Sequence, residues 1–299
     1  MKINGVTIDP TFAEAFPMKA TRVIITADSP RWAKLAASTM TGFATSVIAC
    51  GCEAAIERNL DPEETPDGRH GIAILLFAMG GKGLAKQVET RAGQCVLTSS
   101  TSSLFSGIDG GKRIPLGKNL RFFGDGNQIS KVIGGKRYWR IPVMHGEFVV
   151  EESTGMVDAI GGGNFLILAR TKLQAIAAAD AAVTAIKRLS NVIMPFPGGV
   201  VGSGSKVGSK YPSVPVSVND AFCPTLKGVA RHSELSAGIE CVLEIVINGF
   251  TQNDIEEAMR IGIEATCALG QENGIKRVSA GNYGGKLGPY HFKLQEIMA

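Results

Sequence analysis

An α+β fold built from two similar halves is predicted by three features of the sequence. Apolar strand-like runs alternate with amphipathic helical segments. That alternation occurs twice along the 299 residues, at roughly half-chain spacing. The composition, 44% hydrophobic and 19% charged with 37 glycines, is that of a packed chain with many tight turns. Each half can be drawn as β-α-β-β-α-β, the ferredoxin-like arrangement, so the prediction is a duplicated, two-lobed chain with lobes at 1–150 and 151–299.

The elements follow in order. Arg22–Ala27 reads as a strand, and Ser29-Pro30 opens a helix, Ser as N-cap and Pro in the first turn. Trp32, Leu35, Ala36 and Met40 give that helix one apolar face. Ala44–Ala49 is expected as a second strand, Ile72–Met79 as a central third, and Gln94–Thr98 as a fourth, with a helix marked by Leu84, Val88 and Ala92 between the last two. Phe122-Phe-Gly-Asp-Gly126 and Ile133-Gly-Gly-Lys136 read as hairpin turns, with antiparallel strands at Arg137–Val143 and Glu147–Glu151. The pattern then returns: a strand at Asn164–Arg170, an Ala-rich helix over Lys172–Leu189, and a strand around Glu244. A helix opened by a capping-box-like Thr251-x-x-Asp254 and a strand at Ile275–Ala280 complete it.

Charge and cysteine usage exclude several function classes. The net charge is only +4 and no basic run is long, which argues against nucleic acid and suits small-molecule partners carrying carboxylate or phosphate. No apolar segment reaches the ~18 residues needed to span a membrane. The start, Met1-Lys-Ile-Asn-Gly-Val6, has no apolar signal core, so a cytoplasmic protein is expected. The six cysteines form no pair of metal-binding pairs, and His70, His145, His232 and His291 are scattered, so no metal is expected.

One acid stands out. Glu244 interrupts the apolar run Val242-Leu-Glu-Ile-Val-Ile247. Burial there raises a carboxyl pKa toward neutrality, which is what a catalytic acid or base needs. Alternatively Glu244 lies on a solvated sheet face or in a structural ion pair; periodicity does not separate these readings. The corresponding strand of the first half, Ile72–Met79, carries no acid.

Two glycine-rich segments complete the expected site. Pro195-Phe-Pro-Gly-Gly199 through Gly202-Ser-Gly-Ser-Lys206 lacks both the dinucleotide and P-loop spacings, leaving backbone N–H groups and a Lys to meet an anion. Ala280-Gly-Asn-Tyr-Gly-Gly-Lys-Leu-Gly288 offers close backbone approach and a ring to stack on. For each, ordinary turn chemistry is the alternative. No Ser/His/Asp or Cys/His arrangement is evident, which disfavours a covalent nucleophile. The expected substrate-binding residues are Phe196, Gly198, Gly199, Ser205, Lys206, Asn282, Tyr283 and Lys286, around Glu244 as catalytic acid.

The motifs Thr11-Phe-Ala-Glu-Ala-Phe16, Thr65-Pro-Asp-Gly-Arg69, Pro195-Phe-Pro-Gly-Gly199, Glu244-Ile-Val-Ile-Asn-Gly249 and Ala280–Gly288, with others in order from end to end, resemble formylmethanofuran:tetrahydromethanopterin formyltransferases. The resemblance implies formyl transfer between a methanofuran-type amine and N5 of a tetrahydromethanopterin-type carrier. It implies that both carriers are co-substrates, with no bound cofactor or metal. It implies a homo-oligomer (a tetramer) or, as the net positive charge favours, a subunit of a formyltransferase/hydrolase complex. It also places the family's catalytic acid on Glu244. Cys50-Gly-Cys-Glu53 and Ser99-Ser-Thr-Ser-Ser103 depart from the family's usual residues. A second reading, a carrier-binding subunit without turnover, leaves an acid in an apolar strand without purpose.

Overall fold

Strand periodicity and helix caps divide the chain, in a computed structural model covering residues 1–299, into two packed units. One comprises Met18–Ala159; the other joins Met1–Pro17 to Ile160–Ala299. The packing division thus differs from halves cut at 150. The first residues belong with the C-terminal half because Val6–Ile8 pairs in parallel with Ile275–Ser279, and the start of the strand Phe12–Thr26 pairs with Tyr290–Lys293.

In Met18–Ala159, the Lys19–Thr26 stretch of that long strand lies between Gly71–Ala78 and Ser103–Ser106, and Gly71–Ala78 pairs outward with Glu53–Leu60. Gly71–Ala78 is buried at every position, as its continuous apolar run requires. The helix Pro30–Thr41, capped by Ser29 with Pro at its start, buries Ala33, Ala36, Ala37 and Met40. The helix Gly81–Arg91 buries Leu84 and Val88. Both contribute to a core with Val23, Ile25, Ile74 and Leu76. Ile129–Ile133, Lys136–Val143 and Gly146–Glu151 form the expected antiparallel hairpins.

Three expected elements are displaced. The apolar run Ala44–Ala49 is no strand; Ser46 caps a short helix, Val47–Cys50, and Ile48 points to solvent. The strand is instead Glu53–Leu60, obscured in sequence by Glu57 and Arg58. Glu57 is buried because Arg22 clamps it with two hydrogen bonds of 2.6 Å. Gln94–Thr98 lies mostly in a π-helical turn, Ala92–Val96, that prolongs the preceding helix, and the fourth strand is the short Ser103–Ser106. Phe122-Phe-Gly sits in a 3₁₀ turn, Arg121–Gly124, with Asp125 left-handed behind it.

The other unit repeats the order. Asn164–Ala169, the end of the strand Ser153–Ala169, is flanked by Cys241–Gly249 and Ile275–Ser279, and Val192–Ile193 pairs with the far edge of Cys241–Gly249. Helices Lys172–Ile186 and Gln252–Ala268 cover one face. The first buries Ala175, Ala178, Ala179 and Ala182, small side chains that allow close helix approach. Thr251 and Asp254 form the capping box read from the sequence. Phe165, Ile167, Ile245, Ile247, Met259 and Ile263 fill the core. No helix is long and apolar enough to cross a membrane.

Removing one partner of the Arg22–Glu57 pair strands a charge in a largely dry setting. Glu57→Ala is expected to lower the unfolding free energy by about 3 kcal/mol, read from the urea midpoint at unchanged m-value. A change below ~0.5 kcal/mol would show that the ion pair is dispensable.

Candidate active site

Residues in a strand alternate between faces. In Cys241–Gly249, Ile245 and Ile247 face the helix-covered core, which sends Val242 and Glu244 to the opposite face. That face is roofed by the long excursion after Val201: Leu166, Leu168 and Ile239 pack there with Phe222, Leu235 and Val242. The roof leaves a cleft of about 560 Å³, with Glu244 in its wall.

The Glu244 backbone is fixed from both sides. It lies opposite Leu166 in the sheet, and it exchanges two hydrogen bonds with Val201, of 2.8 and 3.0 Å. Burial raises the Glu244 carboxyl from the ordinary 4.5 to about 7, and neither hydrogen bond nor neighbouring cation offsets it. Glu244 is therefore poised between its two protonation states at neutral pH; no ion pair engages it, and its half-buried side chain lines the cleft.

Of the expected site residues, Ser205, Lys206, Asn282 and Tyr283 line this cleft with Glu244. Burial pushes the Tyr283 phenol up, the Glu244 charge adds to the effect, and a hydrogen bond with Ser205 opposes it. Lys206 is held by Asp220, so its charge is partly neutralised. Phe196, Gly198, Gly199 and Lys286 are not brought to the cleft. Pro197–Gly199 forms a 3₁₀ turn between the two stretches that pair with the Glu244 strand, Val192–Ile193 and Val201. Gly198 faces solvent at φ +67°, and Gly199, at φ +87°, is packed so closely on Val183 that a Cβ would lie 3.0 Å from it. Lys286 is exposed.

The sequence reading missed three contributors. Asn164, buried, donates to the carbonyls of Gly162 and Gly281, both at 3.0 Å, and accepts from the Gly281 N–H at 2.6 Å. Gly281 is thereby held so near the acid that a Cβ on it would sit 3.5 Å from Glu244 Oε1. Arg277 lines the cleft, 3.2 Å from Asp9 and donating to the Glu234 carbonyl. Glu14 lies beneath the Ala280–Gly288 loop, 1% exposed. Its Oε2 accepts from the N–H groups of Tyr283 (2.7 Å) and Gly285 (2.8 Å), its Oε1 from those of Leu287 (2.6 Å) and Gly288 (2.7 Å). Burial alone would raise this carboxyl, yet the four backbone donors hold it down to about 2. A lone acid in the run Phe12-Ala-Glu-Ala-Phe16 was the available signal.

No group of three or more His, Cys, Asp or Glu side chains is placed to hold a metal ion. The cleft instead offers a neutral-range carboxyl, a phenol and a hydroxyl among its lining residues. That combination can donate to, or take a proton from, a group undergoing acyl transfer.

Comparison with known proteins is consistent along the whole chain. Residues 1–143 match the family described as formylmethanofuran-tetrahydromethanopterin formyltransferase, and residues 146–297 match its proximal lobe. The formylmethanofuran–tetrahydromethanopterin formyltransferase of Methylococcus capsulatus is 72% identical over 299 residues, covering 100% of both chains. Two solved structures are close. A chain of the formyltransferase/hydrolase complex from Methylorubrum extorquens, in complex with methylofuran, is 46% identical with TM-score 0.97, covering 100% of this chain and 99% of that one. The formylmethanofuran:tetrahydromethanopterin formyltransferase from Methanosarcina barkeri is 46% identical with TM-score 0.94, covering 99% and 100%.

The Glu14 clamp has a pH signature. A carboxyl at about 2 when folded and near 4.5 when unfolded stabilises the fold above pH 4.5, and loses that contribution as pH falls toward 2. The span corresponds to on the order of 3 kcal/mol. The stability difference between wild type and Glu14→Gln is expected to be largest above pH 4.5 and to close toward pH 2, by urea unfolding at several pH values. A difference independent of pH would contradict an ionised clamp.

Proposed function

The chain belongs to the formylmethanofuran–tetrahydromethanopterin formyltransferase family, and from this premise we infer that it moves a formyl group between a methanofuran-type amine and N5 of a tetrahydromethanopterin-type carrier. Both carriers are co-substrates in this reading, which calls for no bound cofactor.

The reaction is acyl transfer between two nitrogens. The attacking amine adds to the formyl carbon, a tetrahedral oxyanion develops, and a proton must move before the C–N bond to the departing amine breaks. We propose Glu244 as the acid. Its protonated carboxyl donates toward the developing oxyanion, and its pKa of about 7 leaves that form present at neutral pH. Holding two carriers in one cleft supplies much of the remaining rate enhancement. Ser205, Lys206, Asn282 and Tyr283 are proposed to contact substrate, because they share the cleft with Glu244. Phe196, Gly198, Gly199 and Lys286 are proposed to act only by shaping or flanking the loops that carry those residues. The single observation that carries the assignment is the Glu244 carboxyl, near neutrality and facing the cleft.

The finer architecture follows the same premise. We read both units as ferredoxin-like and the chain as a duplication. The support is that in each unit the four strands of the β-α-β-β-α-β repeat stand in the order fourth, first, third, second. Glu244 lies on the third strand of its repeat. The six free cysteines suit a reducing, cytoplasmic setting. The likeness to a chain of the formyltransferase/hydrolase complex supports a role as a subunit of such an assembly, with a homotetramer as the other arrangement.

Glu244→Gln keeps the shape and removes proton exchange. Turnover of the purified chain with both carriers is expected to fall ~10²–10⁴-fold, with KM changed far less. Wild-type kcat should decline as pH rises through about 7, the acid form being lost, and the variant should lack that limb. Near-normal turnover in the variant would make Glu244 structural; a wild-type rate that rises through the same range would make it a base.

A further inference from the structure

We propose that Glu14 is a positioning residue for formyl transfer: by holding the Ala280–Gly288 loop through its backbone, it aims Tyr283 at the reacting centre beside Glu244. The inference rests on the reading of the cleft as the formyl-transfer site.

Apart from Glu14, the loop is tied only toward its ends: Asn164 bonds Gly281, Asn282 donates to Thr11 Oγ1 and the Phe12 carbonyl, and His291 meets the Gly288 carbonyl. Three glycines, Gly281, Gly284 and Gly285, flank Asn282 and Tyr283, and Gly284 and Gly285 sit at φ +80° and +70°. Such a backbone has more conformations to lose on ordering than any other. Tyr283 itself is 36% exposed, so packing does not immobilise it; its ring meets Phe16 only at a centroid distance of 6.0 Å. Against this entropy stand the four hydrogen bonds to Glu14, two on each oxygen, all between 2.6 and 2.8 Å. Bonds to an ionised acceptor are roughly twice as strong as neutral ones. One of the four starts at the Tyr283 N–H, so the acid fixes the backbone from which the phenol projects.

The anchor is itself rigid. Glu14 lies in a strand, with Ala13 and Ala15 fully buried and paired to Phe292 and Tyr290. The loop closes onto that strand without slack: a Cβ on Gly288 would fall 2.2 Å from the Ala15 carbonyl oxygen. On the cleft side, Tyr283 meets Ser205 and feels the Glu244 charge. A chain of contacts thus runs from a dry carboxylate, through one peptide N–H, to a phenol that lines the cleft with the acid. Glu14 lines no part of the cleft, so it acts on substrate through the loop it holds and through its charge on the Tyr283 phenol.

An amide at position 14 keeps the shape but turns an NH2 group toward two backbone N–H donors, which releases half of the clamp. A misplacement of about 1 Å at a reacting centre costs up to ~10²-fold in rate. The test is a double-mutant cycle on the full chain with both carriers, well below the unfolding transition: wild type, Glu14→Gln, Tyr283→Phe and the double variant. Tyr283→Phe is expected to lower kcat at least ~10-fold. Glu14→Gln should lower kcat ~10–100-fold with KM changed less than ~3-fold, and should cost less than ~3-fold more when Tyr283 is already Phe. Met259→Ala, a core substitution outside the cleft lining, controls for lost stability and should leave kcat unchanged. If Glu14→Gln fails to fold, Glu14→Asp replaces it in the cycle; the shortened carboxylate cannot reach all four donors and should cost ~10-fold.

Full additivity of the two substitutions, or a Glu14 variant that is destabilised yet turns over normally, would overturn the proposal by reducing Glu14 to a structural anchor. Glu244→Gln is assayed alongside. Loss of turnover there with none in the Glu14 variant overturns the clamp alone; full activity in Glu244→Gln overturns the assignment of the cleft and this inference with it.

Discussion

Everything in the cleft depends on one backbone constraint: the strand carrying Glu244 is paired along both edges. Leu166 holds it on one side and Val201 on the other, so the Cα of the acid cannot retreat toward water. With the backbone pinned and no donor facing it, the carboxyl absorbs the cost of burial by shifting its own equilibrium toward the protonated form. An acid on an edge strand would relax outward and titrate as an ordinary carboxylate. The pairing with Val201 is also what carries the chain from the Pro197–Gly199 turn into Gly202–Lys206, so the same bonds that hold the acid deliver the Ser205 wall.

The second wall is organised by the opposite use of the same chemistry. Glu14 is drier than Glu244 by surface exposure, yet it stays ionised because four peptide dipoles converge on it. Two glutamates, each alone in an apolar strand segment, end at about 2 and about 7. The first is a fixed negative charge beneath a glycine-rich loop; the second is a carboxyl that changes protonation near neutral pH, which is what its proposed role requires. Asn164 links the two environments. It holds the start of the loop at Gly281 from inside the sheet, one residue from Phe165, which faces the core. A neutral amide suits that place, since a further charge so near Glu244 would drive its pKa away from neutrality.

The excursion after Val201 shows how much of the site is roof rather than floor. It contains little regular structure beyond the small hairpin Lys206–Val207 with Val216–Ser217, and it is tied down by ion pairs such as Lys206–Asp220 and Lys227–Glu240. Surface pairs of this kind contribute little stability. The apolar contacts of Phe222 and Leu235 with Leu166 and Leu168 hold the roof on the sheet, and they also keep bulk water from one side of the acid.

By itself, the sequence determined most of the framework. Period-two and helical patterns, with caps at Ser29 and Thr251, locate the long helices and central strands because local propensity and burial agree there. A lone acid among β-branched residues is enough to single out Glu244. Where local pattern and tertiary pairing disagree, sequence fails. Glu53–Leu60 is a strand because it pairs with Gly71–Ala78 while Arg22 neutralises Glu57, and Ala44–Ala49 loses its strand because Ser46 caps a turn of helix. The recruitment of Met1–Pro17 into the C-terminal unit depends on pairing over more than 260 residues of chain, as with Val278 and Ile8, which no local signal encodes. The roles of the two acids were decided last. The sequence places Glu244 in a strand and gives Glu14 no element, and whether backbone N–H groups or apolar walls meet each carboxyl is a property of other segments. Only the folded chain brings Tyr283–Gly288 to Glu14 and leaves Glu244 without a donor.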